Sequence, residues 1–420
     1  MRYFHNLLAI LFLFLSGCNA GADNVAAKSI ASPTPFQPQS SGAPDSPYSA
    51  AAPTPLYLPT TTPAPPAPTE VVILPEVLPS GVSIPVFTSG GIVNPLTGLP
   101  PSDPALLDRR PIAIKVANYP RYMRPQSGLT LADQVFEYYI EDGLTRFTAI
   151  FYGNNSEWVG PVRSGRFFDE HIQRMYQAFI AFQNADARVE AYFQRSDFVK
   201  FLVVPSNGSC PPFRLLPERE TTIEVYNNSY FNLLAWPECI ERGGLDDSRP
   251  YIRNGFFSDV PPLSDLAGTK IYTYYSVDSY NYWAYNPETA LYYRYQENGD
   301  TRNGREESYQ PLMDRVTALP VSASNVIVLF ATHNFANPYD EEDEVFQIDL
   351  VGSGEAYVFR DGVGIPARWY RTNIDQPLLI TTLSGAAIYM KAGVTFYEVI
   401  GTRSYADQGD GEWNFHHDWP

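Results

Sequence analysis

The sequence predicts an α+β fold, with a mixed α/β first domain and a β-rich, sandwich- or barrel-like second domain, on three observations. Strand-like alternation and helix-like periodicity interleave between residues 94 and 250. From Thr269 onward the helical period nearly vanishes, and short aromatic or β-branched runs separated by turns take over, such as KIYTYYS, NVIVLFATH and VTFYEVIG. Apolar residues make up 44% of the chain against 18% charged, enough to collapse, which excludes disorder for the chain as a whole.

The first element is not part of the fold. Leu7 to Leu15 is an unbroken apolar run ending in Leu15-Ser16-Gly17-Cys18. It is too short for the ~20 residues a spanning helix needs, and reads as a secretory signal with small residues before the cut. The four residues resemble the bacterial lipobox, whose cysteine is acylated, so residues 1–18 are expected to be a lipoprotein signal and Cys18 the membrane anchor. Residues 19–93 are rich in Pro, Ala, Thr and Ser and are expected to form an extended linker. Its boundary is soft, because the valines and isoleucines of 71–93 can dock on the folded body.

The first domain, 94–250, opens on a strand at Pro111 to Asn118. Gln134 to Glu141 and Leu144 to Tyr152 flank Asp142-Gly143, a two-residue hairpin signal. Pairing Glu141 with Leu144 puts Phe136, Tyr138, Ile140, Phe147, Ala149 and Phe151 on one face, and Glu137, Tyr139, Glu141, Arg146 and Thr148 on the other. Helices are expected at 167–177, near 186–195, and through Tyr230 to Trp236 behind an Asn228-Ser229 cap, with strands at 178–183 and 198–204. In the second domain, 251–405, Asn298-Gly299 and Asp361-Gly362 mark hairpin tips, and 406–420 reads as a frayed tail.

Several stretches in order are similar to the YerB-like bacterial lipoproteins, a two-domain family without an established biochemical role. They are Asn94-Pro-Leu-Thr-Gly-Leu99, Arg124-Pro-Gln-Ser-Gly-Leu129, Glu141-Asp-Gly-Leu-Thr-Arg-Phe147, Gly160-Pro-Val-Arg-Ser-Gly-Arg166, Tyr357-Val-Phe-Arg-Asp-Gly362 and Ala392-Gly-Val-Thr-Phe-Tyr-Glu398. The resemblance implies a fold and an extracytoplasmic address. Where the family carries an HxG-type stretch this chain reads Phe182-Gln-Asn-Ala-Asp186, and Tyr226-Asn-Asn228 stands near a second His-Asn position, so no histidine chemistry is carried over.

With 29 basic and 46 acidic residues, the net charge of −17 argues against nucleic acid as a partner. Besides Cys18, Cys210 and Cys239 form an even pair suited to a disulfide in an oxidising compartment, with two separate buried thiols as the alternative. No cofactor motif is present. The acidic run Asp340 to Glu344 lacks the spacing of a calcium loop, and His333 and His416-His417 read as rim and tail residues, so no metal is expected.

The arginines carry the sharpest chemical expectation. Arg146, Arg163 and Arg166, with Thr145 and Ser164, are candidates for binding an anionic envelope ligand or a protein partner. The competing reading is a structural network in which Glu137, Glu141, Asp142 and Asp169 neutralise them. Glu137 and Glu141 are also the weak catalytic candidates of an envelope hydrolase. On one strand their Cα atoms lie about 13 Å apart, beyond the usual carboxyl spacing of glycosidases. A structural or assembly role is the third reading. Tyrosines of 272–295 suit either sugar rings or a core whose hydroxyls reach the rim.

Overall fold

The structure is a computed structural model that describes residues 92–418, apart from 207–209, 221, 253–256 and 341–342. The signal, Cys18 and the linker through residue 91 lie outside the described residues. In chain order the first region supplies β1 (Ile112–Ala117), β2 (Gln134–Tyr139), β3 (Thr145–Phe151), α1 (Asp169–Tyr176), β4 (Phe179–Ala181), α2 (Ala187–Phe193), β5 (Leu202–Val203), β6 (Phe213–Leu215), β7 (Ser229–Phe231) and α3 (Trp236–Gly243). The second supplies β8 (Lys270–Ser276), β9 (Ser279–Asn286), β10 (Leu291–Glu297), β11 (Tyr309–Pro311), β12 (Ser322–Ala323), β13 (Asn325–Phe335) and β14 (Phe346–Asp349). It closes with β15 (Gly352–Arg360), β16 (Val363–Arg371), β17 (Leu379–Thr382), β18 (Thr395–Gly401), β19 (Tyr405–Gly409) and β20 (Glu412–His416).

The two regions share one eleven-stranded sheet, in the order β17-β16-β15-β13-β18-β2-β3-β1-β4-β5, with β14 beside β13. The join is the parallel pair β18/β2, in which Thr395 stands opposite Gln134 and Val399 opposite Tyr138. Every residue of β1, β2, β3 and β18 is buried, so both faces of the central strands are covered. α1 lies on one face, where Ile172 and Met175 are buried and Phe168, just ahead of it, packs on Tyr138 with ring centroids 4.5 Å apart. On the other face lies a seven-stranded sheet, β11-β10-β9-β8-β20-β19 with β12 beside β10. Its strands alternate buried and half-exposed residues, as period two requires of a sheet with one covered face. Trp283 meets Phe396 across this interface at 4.7 Å.

Alternation also divides the tyrosines. Tyr275, Tyr280 and Tyr292 belong to the core. Tyr272, Tyr274, Tyr282, Tyr293 and Tyr295 are half-exposed, and Tyr282 and Tyr295 stack on one another at 4.7 Å and 9°, using the ring faces a sugar would need.

Four local expectations are corrected. The hairpin register slips by one: Ile140 N donates to Leu144 O at 2.9 Å, Glu137 faces Phe147, and Tyr138 faces Arg146. Glu141, Asp142 and Gly143 form a three-residue loop in which Asp142 and Gly143 take positive φ, held where Asp142 N donates to Glu344. A one-residue slip moves each side chain of one strand to the other face relative to its partner, and with both faces buried the apolar pattern could not choose between registers. Residues 229–231 form a strand paired with β6, and the helix starts only at Trp236, where Pro237 takes a first-turn position. Asn298-Gly299 is no tight hairpin, since β10 ends at Glu297 and β11 begins at Tyr309. The tail is not frayed: Trp413 and Phe415 are buried and β20 pairs with both β19 and β8. The Asp361-Gly362 tip joins β15 to β16 with Arg360 opposite Val363.

Candidate functional site

The motif Gly160 to Arg166 runs past the carboxyl ends of β1 and β4. Val162 bridges to Val116, Arg163 N donates to Lys115 O at 3.1 Å, and Gln183 N donates to Arg163 O at 3.1 Å. Gly165 eases this close approach, because a Cβ there would come to 3.1 Å from the Phe182 and Phe193 rings, which would have to shift by a few tenths of an ångström. β1, β4 and β5 are mutually parallel, and open sheets of this kind place ligands beyond their carboxyl ends. Arg146, at the start of β3 opposite Ala117, opens onto the same place.

Here the three arginines outnumber their partner. Arg166 grips both oxygens of Glu141, its Nε at 2.8 Å and its Nη2 closer still. Arg146 approaches the same carboxylate only to 3.7 Å and donates to the Ser164 carbonyl at 3.1 Å. Burial, with Arg166 second, lowers the Arg146 guanidinium to about 9. Arg163 makes no ion pair among the described residues. Its Nη1 donates to Asn227 Oδ1 at 2.8 Å, its Cζ lies 5.6 Å from the Tyr226 ring centroid, and its Nε is buried without a partner. Burial lowers its pKa as well, and Arg166 adds to the effect. Two guanidiniums therefore share one carboxylate and the third has none among the described residues, leaving an excess of positive charge in a chain of net charge −17.

The other three carboxylates expected to neutralise the arginines are engaged elsewhere. Asp169 takes the buried Lys115 ammonium at 2.9 Å, the Tyr138 hydroxyl at 2.8 Å and the backbone N–H of Arg166. Desolvation lowers Lys115 to about 8. Asp142 lies exposed in the hairpin loop. Glu137 is 1% exposed on the opposite face of the sheet, bound to Arg294 at 2.5 Å, to Asn118 at 3.1 Å and to the Thr145 hydroxyl at 2.6 Å. Glu137 and Thr145 thus belong to the interior rather than to the arginine site. Because Glu137 and Glu141 point to different sides of the sheet, they do not flank a common space as a hydrolase pair must. Ser164 is at the site, its hydroxyl donating to Asn184 Oδ1.

Sequence reasoning missed Gln183, Tyr226 and Asn227 as site residues. With its amide turned so that the nitrogen faces two acceptors, Gln183 donates to Val162 O at 3.1 Å and Tyr226 O at 2.8 Å, so the stretches around Gln183 and Asn227 meet at Arg163. Cys210 and Cys239 form a disulfide with Cα atoms 5.3 Å apart, tying the segment before β6 to α3. Asp343 pairs with Arg188, Glu344 accepts from the Tyr139 hydroxyl at 3.0 Å, and no cluster of three metal-ligating side chains occurs among the described residues.

Two family models match the chain: the N-terminal domain of a protein of unknown function, DUF3048, over residues 96–238, and the DUF3048 C-terminal domain over 271–397. The chain belongs to the DUF3048 family. It is a homologue of YerB of Bacillus subtilis (strain 168), 26% identical over 336 residues, 77% of this chain and 91% of YerB, whose name makes it a candidate lipoprotein. The crystal structure of YerB shares the fold with a TM-score of 0.61 at 22% identity, over 74% of this chain and 97% of YerB. The arginine site lies wholly within the first DUF3048 segment. β2 and β18, by contrast, join the two segments in one sheet.

Proposed function

We propose that this DUF3048 protein is an extracytoplasmic lipoprotein, anchored through Cys18, that binds an anionic group of a cell-envelope component or partner protein at Arg163, with Arg146 and Arg166 beside it. The observation that carries the reading is the surplus of guanidinium charge. A structural network pairs its cations, whereas Arg163 makes no ion pair among the described residues and is held by the Asn227 amide beside the Tyr226 ring. The half-exposed Nη end of Arg163, of which only Nη1 is engaged, at Asn227, offers a carboxylate or phosphate charge-assisted hydrogen bonding. Glu141 orients Arg166 from the far side. The lipid anchor is supported by the Leu-Ser-Gly-Cys order and by the name of the B. subtilis homologue. No helix among the described residues is long and apolar enough to cross a membrane.

The test uses the full chain and purified envelope material. Arg163→Ala is expected to abolish co-sedimentation while melting stays within a degree or two of the parent, and Cys18→Ala to abolish incorporation of labelled palmitate. Retention unchanged by Arg163→Ala, or a parent chain that takes up no label, would overturn the corresponding half of the reading.

A further inference from the structure

Beside Arg163 stand two exposed aromatic side chains, Tyr226 and Tyr122, 54% and 53% open to solvent. Single rings on a surface need no explanation, but both of these are tied to the arginine. The Arg163 Cζ lies over the Tyr226 ring, and the Tyr226 carbonyl accepts from the Gln183 amide at 2.8 Å. Asn227 joins the second ring: its Oδ1 accepts from Arg163 and its Nδ2 donates to the Tyr122 hydroxyl, each at 2.8 Å. Glu224 also accepts from Asn227 Nδ2, at 3.2 Å, and from the Tyr122 hydroxyl, at 2.8 Å. The Asn227 amide therefore stands between this carboxylate and the guanidinium.

A guanidinium covers one face of a ring and leaves the opposite face free. No other ring packs on Tyr226 among the described residues, and its hydroxyl makes no hydrogen bond to them. Next along the motif, the Ser164 hydroxyl donates to Asn184 Oδ1, and the Asn184 carbonyl accepts from Gly165 N at 2.7 Å. Asn184 is exposed, and its amide nitrogen makes no hydrogen bond among the described residues. Gln183, its neighbour in the chain, is the residue that reaches Tyr226. The positive charge thus lies between an open aromatic face and a free amide.

A bare anion would use the guanidiniums alone. An aromatic face with a few polar groups around it fits a ligand that is apolar on one side and hydroxylated at its edge, as a sugar ring is. Building on the anion-binding reading above, we propose that the anionic group bound at Arg163 is carried by a sugar. Its phosphate or carboxylate meets Arg163 with Arg146 beside it, its ring stacks on Tyr226, and its hydroxyls reach Asn184.

Isothermal titration of the full chain tests this with two matched pairs, glucose 1-phosphate against inorganic phosphate and glucuronate against acetate. In the parent, the sugar of at least one pair is expected to bind several-fold tighter than its small anion. The pair that shows the preference tells a phosphorylated sugar from an acidic one. Tyr226→Leu should abolish the preference, and Tyr226→Phe, which retains the ring, should retain it. Arg163→Ala should weaken both members of that pair. No preference in either pair would overturn the proposal, as would a preference that survives Tyr226→Leu. Phenyl phosphate binding as tightly as glucose 1-phosphate would overturn it too, because any flat ring would then serve. If no anion binds in an Arg163-dependent way, the anion-binding reading itself fails and the sugar falls with it.

Discussion

Glu137 and Glu398 stand opposite one another across the parallel β2/β18 pair and accept hydrogen bonds from a single guanidinium, Arg294, at 2.5 and 2.8 Å. Each group is at most 1% exposed. Trp283 Nε1 and the Tyr275 hydroxyl donate to Glu398, at 2.8 and 3.0 Å. Burial raises the Glu137 carboxyl, with the neighbouring Glu398 adding to the rise and Arg294 opposing it. The triad joins both sequence segments and the second sheet at one point.

Removing Arg294 leaves two carboxylates buried without their counter-ion. Breaking a buried ion pair by deleting one partner costs about 3–5 kcal/mol. Arg294→Met is therefore expected to lower stability by that amount in urea denaturation, and Glu137→Gln/Glu398→Gln on the same background to recover part of it. A loss below about 1 kcal/mol, the range of an exposed pair, would contradict the triad's role.

Acid should loosen the tail. His333 is buried against His417, ring centroids 5.0 Å apart, and burial lowers it to about 4. In the unfolded chain a histidine titrates near ~6.5. Between these values the unfolded state binds a proton that the native state refuses, so stability falls as pH drops from about 6.5 toward 4. Melting curves of His333→Leu should show a shallower acid limb than the parent across that window. Parallel limbs would exclude this histidine as a source of acid sensitivity.

Reduction of Cys210–Cys239 opens a closure between residues 29 apart in sequence. The chain-entropy model puts that cross-link at about 3–4 kcal/mol. Cys210→Ser/Cys239→Ser should melt several degrees lower while keeping the far-ultraviolet circular dichroism of the parent. An unchanged melting point would show that the surrounding segment is held by packing alone.

The fold class was legible because period-two and period-3.6 patterns are local, and the β-rich region from Thr269 follows directly from them. Long-range pairing was not. Nothing near Gln134 signals a strand more than 250 residues away, so the β2/β18 join and the covered second face of β2 were invisible. For the same reason Glu137 looked like a surface acid. Arg294 and Glu398 did carry a signal, as charges in the inward phase of strand patterns, Arg294 between Tyr292 and Gln296 and Glu398 within VTFYEVIG. At the arginine site the motif from Gly160 to Arg166 marked the place. Which carboxylates would reach it depended on a hairpin register that Asp142-Gly143 alone did not determine.

The surplus charge at Arg163 is tested most directly by isothermal titration of the full chain with inorganic phosphate at low ionic strength. A hydrogen bond to a charged group is worth about 1.5–3 kcal/mol, so Arg163→Ala should weaken binding at least about tenfold. Glu141→Gln, which removes the one carboxylate shared by Arg146 and Arg166, should tighten it. Equal phosphate affinity in the parent and both variants, with the melting point of Arg163→Ala lowered instead, would contradict the account.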